Sequence, residues 1–108
     1  MAEPLEVDVS QVAIIALRGE IDMAGLDDLQ GAIEPHLAPG QTVVLDLSDV
    51  RFADSTLLKV LQQARGKADN AGGALLVRNP SDEVRKLLAL GDLDDLVRAE
   101  VDRLNDLP

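Results

Sequence analysis

The chain has no Cys, no Trp and no Tyr, and only one Phe (Phe52) and one His (His36) among its 108 residues. Without Cys there are no disulfides, no thiolate metal ligands and no cysteine nucleophile. A single His rules out a His-rich metal centre and leaves little for acid–base chemistry at neutral pH. Aromatics make up 1% of the chain against 46% apolar residues, so Leu, Val, Ile and Ala must build the core, and there are few rings on which a base could stack. Positive charge is scarce too, with 10 basic residues against 20 acidic ones and a net charge of −10. Such a surface repels phosphate backbones and anionic lipid, so neither nucleic acid nor direct membrane binding is expected. A basic or mixed-charge protein is the partner it suits. No apolar run approaches the roughly 20 residues of a membrane span. The start Met1-Ala2-Glu3-Pro4 is not that of a basic, apolar signal peptide. The expected location is the cytoplasm.

What is present reads as one folded domain spanning 1–108, with a core over about 5–98 and an acidic tail or short helix over 99–108. Leu5-Glu6-Val7-Asp8-Val9 alternates with the period of a half-exposed strand, and Val12 to Leu17 reads as a second, more buried strand, together forming an N-terminal β-hairpin. Gly19-Glu20-Ile21-Asp22 ends the hairpin. Asp22 caps a helix carrying Leu26, Leu29, Ile33 and Leu37, which Pro35 shortens or bends. Thr42 to Leu47 is a central strand and Ser48–Ala53 the loop after it. A helix follows over Ser55–Asn70, stopped by Gly72-Gly73. Ala74–Arg78 is another strand, Asn79-Pro80-Ser81 leads into a helix bearing Val84, Leu87 and Leu88, and Leu96-Val97 is a short last strand. The alternation implies an α/β fold: a mixed sheet of about four to five strands, an N-terminal hairpin followed by βαβ units, and helices packed on one side.

The run ending in Asp54-Ser55-Thr56 sets a hydroxyl at a helix N-terminus, where backbone N–H groups tolerate an anion. One reading is a helix cap and nothing more. The other makes Ser55 a phosphoacceptor, where about −1.5 to −2 charge would change the sign of a docking surface. Serine catalysis needs a base within hydrogen-bond reach, and His36, at the far end of the first helix, does not supply one. No Gly-x-Ser-x-Gly elbow surrounds Ser55 either, and no enzyme is expected. Asp46, Asp49 and Asp54 invite comparison with a Mg²⁺ phosphoaspartate site. The early acidic pair and the late Lys of such a site are missing, so solvated loop carboxylates are the better reading, and no metal or other cofactor is expected.

The order of these pieces resembles a STAS domain, the fold of bacterial anti-sigma factor antagonists. The likeness rests on Asp46-Leu47-Ser48-Asp49-Val50-Arg51-Phe52-Ala53-Asp54-Ser55-Thr56, on Gly19-Glu20-Ile21-Asp22, on Ala71-Gly72-Gly73-Ala74-Leu75-Leu76-Val77, and on Asn79-Pro80-Ser81 leading to Val84-Arg85-Lys86-Leu87-Leu88. The resemblance implies an anti-sigma factor antagonist that, unphosphorylated, sequesters an anti-sigma factor with serine kinase activity and so regulates transcription. It implies Ser55 as the phosphorylated residue with Thr56 as a possible secondary site, and a PP2C-type phosphatase to reverse the modification. Asp22, Asp54, Ser55, Thr56 and Leu57 would form the partner-binding surface, on a monomer or weak homodimer. The alternative is a STAS subunit of a larger assembly, a lipid-transporting ABC complex or a stress-signalling scaffold, without a phospho-switch. Leu57 and Lys59 stand where the family usually has Gly. Leu57 there either enlarges a docking patch or fills the core. Asp92, after Gly91, is expected to hold a left-handed turn.

Overall fold

Apolar side chains at every second position make Val12–Ile21 a strand, β1, with Ile15, Leu17 and Ile21 on the face that meets the helices. The computed structural model describes residues 12–97. After β1 the chain makes a 3₁₀ turn over Met23–Gly25, then α1 (Leu26–Ile33), then a second 3₁₀ turn over Glu34–His36. The ring of Pro35 cannot occupy a helix interior without losing a backbone bond, and α1 stops two residues before it. β2 (Thr42–Ala53), α2 (Ser55–Asn70), β3 (Ala74–Arg78) and α3 (Asp82–Leu90) complete the order.

The three strands are parallel and lie in the order β1-β2-β3. Val43, Leu45 and Leu47 of β2 and Leu75 and Val77 of β3 share a core with Leu29 and Ile33 of α1, Leu57, Val60 and Leu61 of α2, and Val84 and Leu88 of α3. The helices therefore cover one face of the sheet. On the other face Ile14, Val44 and Leu76 stand in one register row, followed by Ala16, Asp46 and Arg78. Asp46 accepts from Arg78 Nε at 3.2 Å and from the Ser48 N–H at 3.0 Å. Ser48 first and Arg78 after it hold the Asp46 carboxyl below its usual pKa.

Four sequence expectations change here. The hairpin's first strand, Leu5–Val9, lies outside the described residues, and among these the sheet has three parallel strands rather than four to five mixed ones. β1 runs past Leu17 through the expected turn at Gly19. The supposed loop Ser48–Ala53 is the second half of β2. Its pairing with β1 is continued through two register shifts, between Ala16 and Arg18 and between Gly19 and Glu20. Extra residues on β2 at these shifts break the alternation by which a strand is recognised. Leu96-Val97 is helical, not a strand. Asp92 at φ 59° turns the chain, the Leu93 N–H bonds to the Leu88 carbonyl at 2.8 Å, and Leu93, Leu96 and Val97 fold back into the core. The left-handed Asp92 is the conformation its side chain tolerates.

Candidate functional site

Parallel strands followed by crossing helices bring every strand end and every helix start to one edge of the sheet. Three caps gather along that edge, each set by a short polar side chain that reaches back to an unbonded N–H. Asp22, after β1, accepts from the Ala24 N–H at 3.1 Å. Asp54, after β2, accepts from the Thr56 N–H at 2.8 Å. Ser81, after β3, accepts from the Val84 N–H at 3.2 Å through its hydroxyl. The Asp54 N–H donates to the Ile21 carbonyl at 3.1 Å, which ties the first two caps together. Asp22 and Asp54 thus flank the start of α2 as neighbours, although 32 positions separate them in the chain.

Ser55 is the first residue of α2 and is exposed. Its neighbours are not. Thr56 is 6% exposed and Leu57 0%. The Thr56 side chain, and then its backbone N–H, bond the Asp54 carboxylate and hold its pKa below the usual value. Thr56 is thus withdrawn from solvent where Ser55 is not. Leu57 lies a further 100° round the helix, among the core side chains of the sheet. Its expected place on a partner-binding surface is corrected: it fills the core and presents nothing to a partner. Of the residues proposed from sequence, Asp22, Asp54 and Ser55 meet at an accessible edge, while Thr56 and Leu57 support it from below.

The sequence reading gave no role to Phe52 and Met23, which stand at the same edge, 52% and 68% exposed. Phe52 lies one pair before the Ile21–Ala53 register pair, and Met23 follows Asp22. The signal for Phe52 was its rarity, as the one Phe of a chain without Tyr or Trp, placed in a run that reads as a loop. His36 is remote from all of these. It precedes the start of β2 at Thr42, whereas Ser55 follows its end, so the length of a 12-residue strand separates them. Nothing imidazole-like approaches Ser55 among the described residues. No helix among those residues is long and apolar enough to cross a membrane.

Comparison with known proteins places this edge in context. A family model described as "Mlab, STAS domain" matches residues 7–98. A STAS-domain-containing protein of Pseudomonas aeruginosa (strain UCBPP-PA14) is 28% identical over 88 residues, 82% of this chain and 87% of that protein. The fold is similar to that of the anti-sigma factor antagonist SpoIIAA in its unphosphorylated form, with a TM-score of 0.73 at 18% identity over 91% of both chains. The phosphorylated form of SpoIIAA from Bacillus gives a TM-score of 0.64 at 18% identity, over 87% of this chain and 91% of that one. The SulP transporter STAS domain of Vibrio cholerae gives 0.60 at 20% identity, over 81% and 68%.

Proposed function

Because the chain belongs to the STAS-domain family, we propose that it is a non-catalytic binding module switched by phosphorylation of Ser55, an anti-sigma factor antagonist whose partner is an anti-sigma factor with serine kinase activity. The observation that carries this reading is the contrast within one tripeptide. Ser55 offers an exposed hydroxyl at the start of a 16-residue helix, while Thr56 beside it is withdrawn from solvent. A phosphate on Ser55 meets the positive end of the α2 dipole and leaves the helix standing. It also meets Asp22 and Asp54, so the edge gains about −1.5 to −2 charge where two carboxylates already lie. A partner seated on the unmodified edge loses its complement without any change of fold. A PP2C-type phosphatase would restore the binding surface.

The test is a pull-down from the native cell with intact-mass analysis of the bait. Wild type and Ser55→Ala retain an ATPase of the kinase type, Ser55→Asp releases it, and phosphate appears on wild type alone. Thr56 does not take over as acceptor in Ser55→Ala. Equal retention by Ser55→Asp, with no phosphate on the wild-type bait, would sink the switch.

A second reading is favoured by the matched family model, whose description names Mlab. It makes the chain a STAS subunit of a lipid-transporting ABC assembly. An ABC ATPase subunit that copurifies equally with wild type, Ser55→Ala and Ser55→Asp would establish that reading in place of the first.

A further inference from the structure

β2 outruns its neighbour on one side. Its pairing with β3 ends at Asp46 opposite Arg78, whereas its pairing with β1 continues to Ala53. Beyond β3 the flank of β2 is met by α3, and a groove of about 260 Å³ opens between them, lined by Arg51, Phe52, Lys86, Leu87 and Leu90 among others. The groove joins two features in one place. It collects exposed apolar side chains, Phe52 and the 83% exposed Leu90. It also holds uncompensated positive charge. Among the described residues Arg18, Arg65, Lys67 and Arg78 each pair with a carboxylate, while Arg51, Lys59, Arg85 and Lys86 do not; Arg51 and Lys86 line the groove, and Glu83 is the one acidic residue of the lining. In a chain of net charge −10, two free cations bracketing an apolar cleft form a local inversion of sign.

We propose that this groove docks an acidic, amphipathic segment of a partner protein. An apolar side chain enters between Phe52 and Leu90, and carboxylates on either side of it face Arg51 and Lys86. Phe52 is the anchor because a ring that buries on contact concentrates binding energy. The cations choose the sign of the segment and speed its encounter. A second copy of this chain is disfavoured as occupant, since it brings another ten negative charges to a surface already acidic overall. The groove borders the Ser55 edge, yet the inference stands apart from phosphorylation.

Random-peptide display against the full, unphosphorylated chain tests it. The selected peptides are expected to share an apolar residue flanked by Asp or Glu. A synthetic peptide of that consensus should move the amide NMR signals of Arg51, Phe52, Lys86 and Leu90. Phe52→Ala, and separately the double reversal Arg51→Glu with Lys86→Glu, should each weaken it about tenfold or more with the remaining spectrum unchanged. Added salt should weaken it further. Basic or uncharged consensus peptides, shifts on another surface, full affinity in both folded variants, or no enrichment at all would overturn the proposal. Selection on a Ser55→Ala chain separates the two claims. Enrichment there supports the groove whether or not Ser55 is ever phosphorylated, and its absence overturns the groove alone.

Discussion

The backbone N–H of Asp54 donates to the Ile21 carbonyl across 3.1 Å, so the last residue of β1 holds the cap of α2 in place. Two roles then fall on one residue, and they separate by mutation. Asp54→Ala keeps the backbone bond to Ile21 but strips the acceptor from the Thr56 N–H. The first turn of α2 frays and the melting temperature falls by several degrees. Asp54→Asn keeps an acceptor oxygen and recovers most of the loss. Circular-dichroism melts of the two variants check the order, and equal melting of Asp54→Ala and wild type would refute the cap's importance.

Leu57 is the residue whose role changes most. Because Leu57 has no exposed surface and belongs to the apolar core, Leu57→Ala leaves a cavity and costs about 2–5 kcal/mol. Leu57→Gly costs about 1 kcal/mol more through the helix backbone. Urea denaturation measures both. The folded fraction of either variant should keep the partner affinity of wild type, because Leu57 reaches no partner.

Acid should destabilise the domain through Asp46 and Asp54. Both carboxyls are held below the ordinary value of 3.8, Asp46 first by the Ser48 N–H and Asp54 first by the Thr56 side chain. A carboxyl whose folded pKa is depressed stabilises the fold fully above its unfolded value, and that stability is lost as pH falls through the folded one. Stability from these two groups is therefore level from neutral pH down to about 4 and declines below it. Asp46→Asn should flatten the acid limb of the melting-temperature profile while leaving its neutral plateau lower. An unchanged acid limb in that variant would assign the acid sensitivity elsewhere.

Two glycines should respond differently to the same added methyl. A Cβ on Gly73 overlaps the backbone carbonyl of Gln41, which is fixed by its own bond from the Ala74 N–H. One on Gly91 meets only the Leu58 side-chain methyls at 2.8 and 3.0 Å, and these can rotate aside. Gly73→Ala should thus cost at least about 2 kcal/mol more than Gly91→Ala, as overpacking against rigid backbone does. Comparable urea midpoints for the two would contradict this.

Much of this architecture was legible where local chemistry and tertiary structure agree. The spacing of Leu57, Leu61, Ala64 and Ala68 and the punctuation by Asp54 and Gly72-Gly73 give the bounds of α2 as found, Ser55–Asn70. Asp22, Asp54 and Ser81 cap as short polar residues do. The misreadings share a cause. Ser48–Ala53 is a strand only because β1 lies beside it and absorbs two bulges, a partner invisible to a local pattern. Leu96-Val97 is too short a pair for periodicity to separate strand from helix, and the turn at Asp92 decides it. At the site, the sequence could bring Asp22 and Asp54 together only through family likeness, since the bond from the Asp54 N–H to the Ile21 carbonyl depends on the register of β1 and β2. Leu57 was undecidable from the motif, because its direction follows from how α2 rolls on the sheet.

Phe52 has one more consequence. Among the described residues the core is aliphatic apart from Thr56, and the one Phe, in a chain without Tyr or Trp, stands at the surface. Optically the core is silent, with neither near-ultraviolet dichroism nor indole emission to report its melting. A tryptophan placed at position 52 would therefore be a lone lamp on the outer wall. Its colour would register what settles on that edge and almost nothing of what happens within.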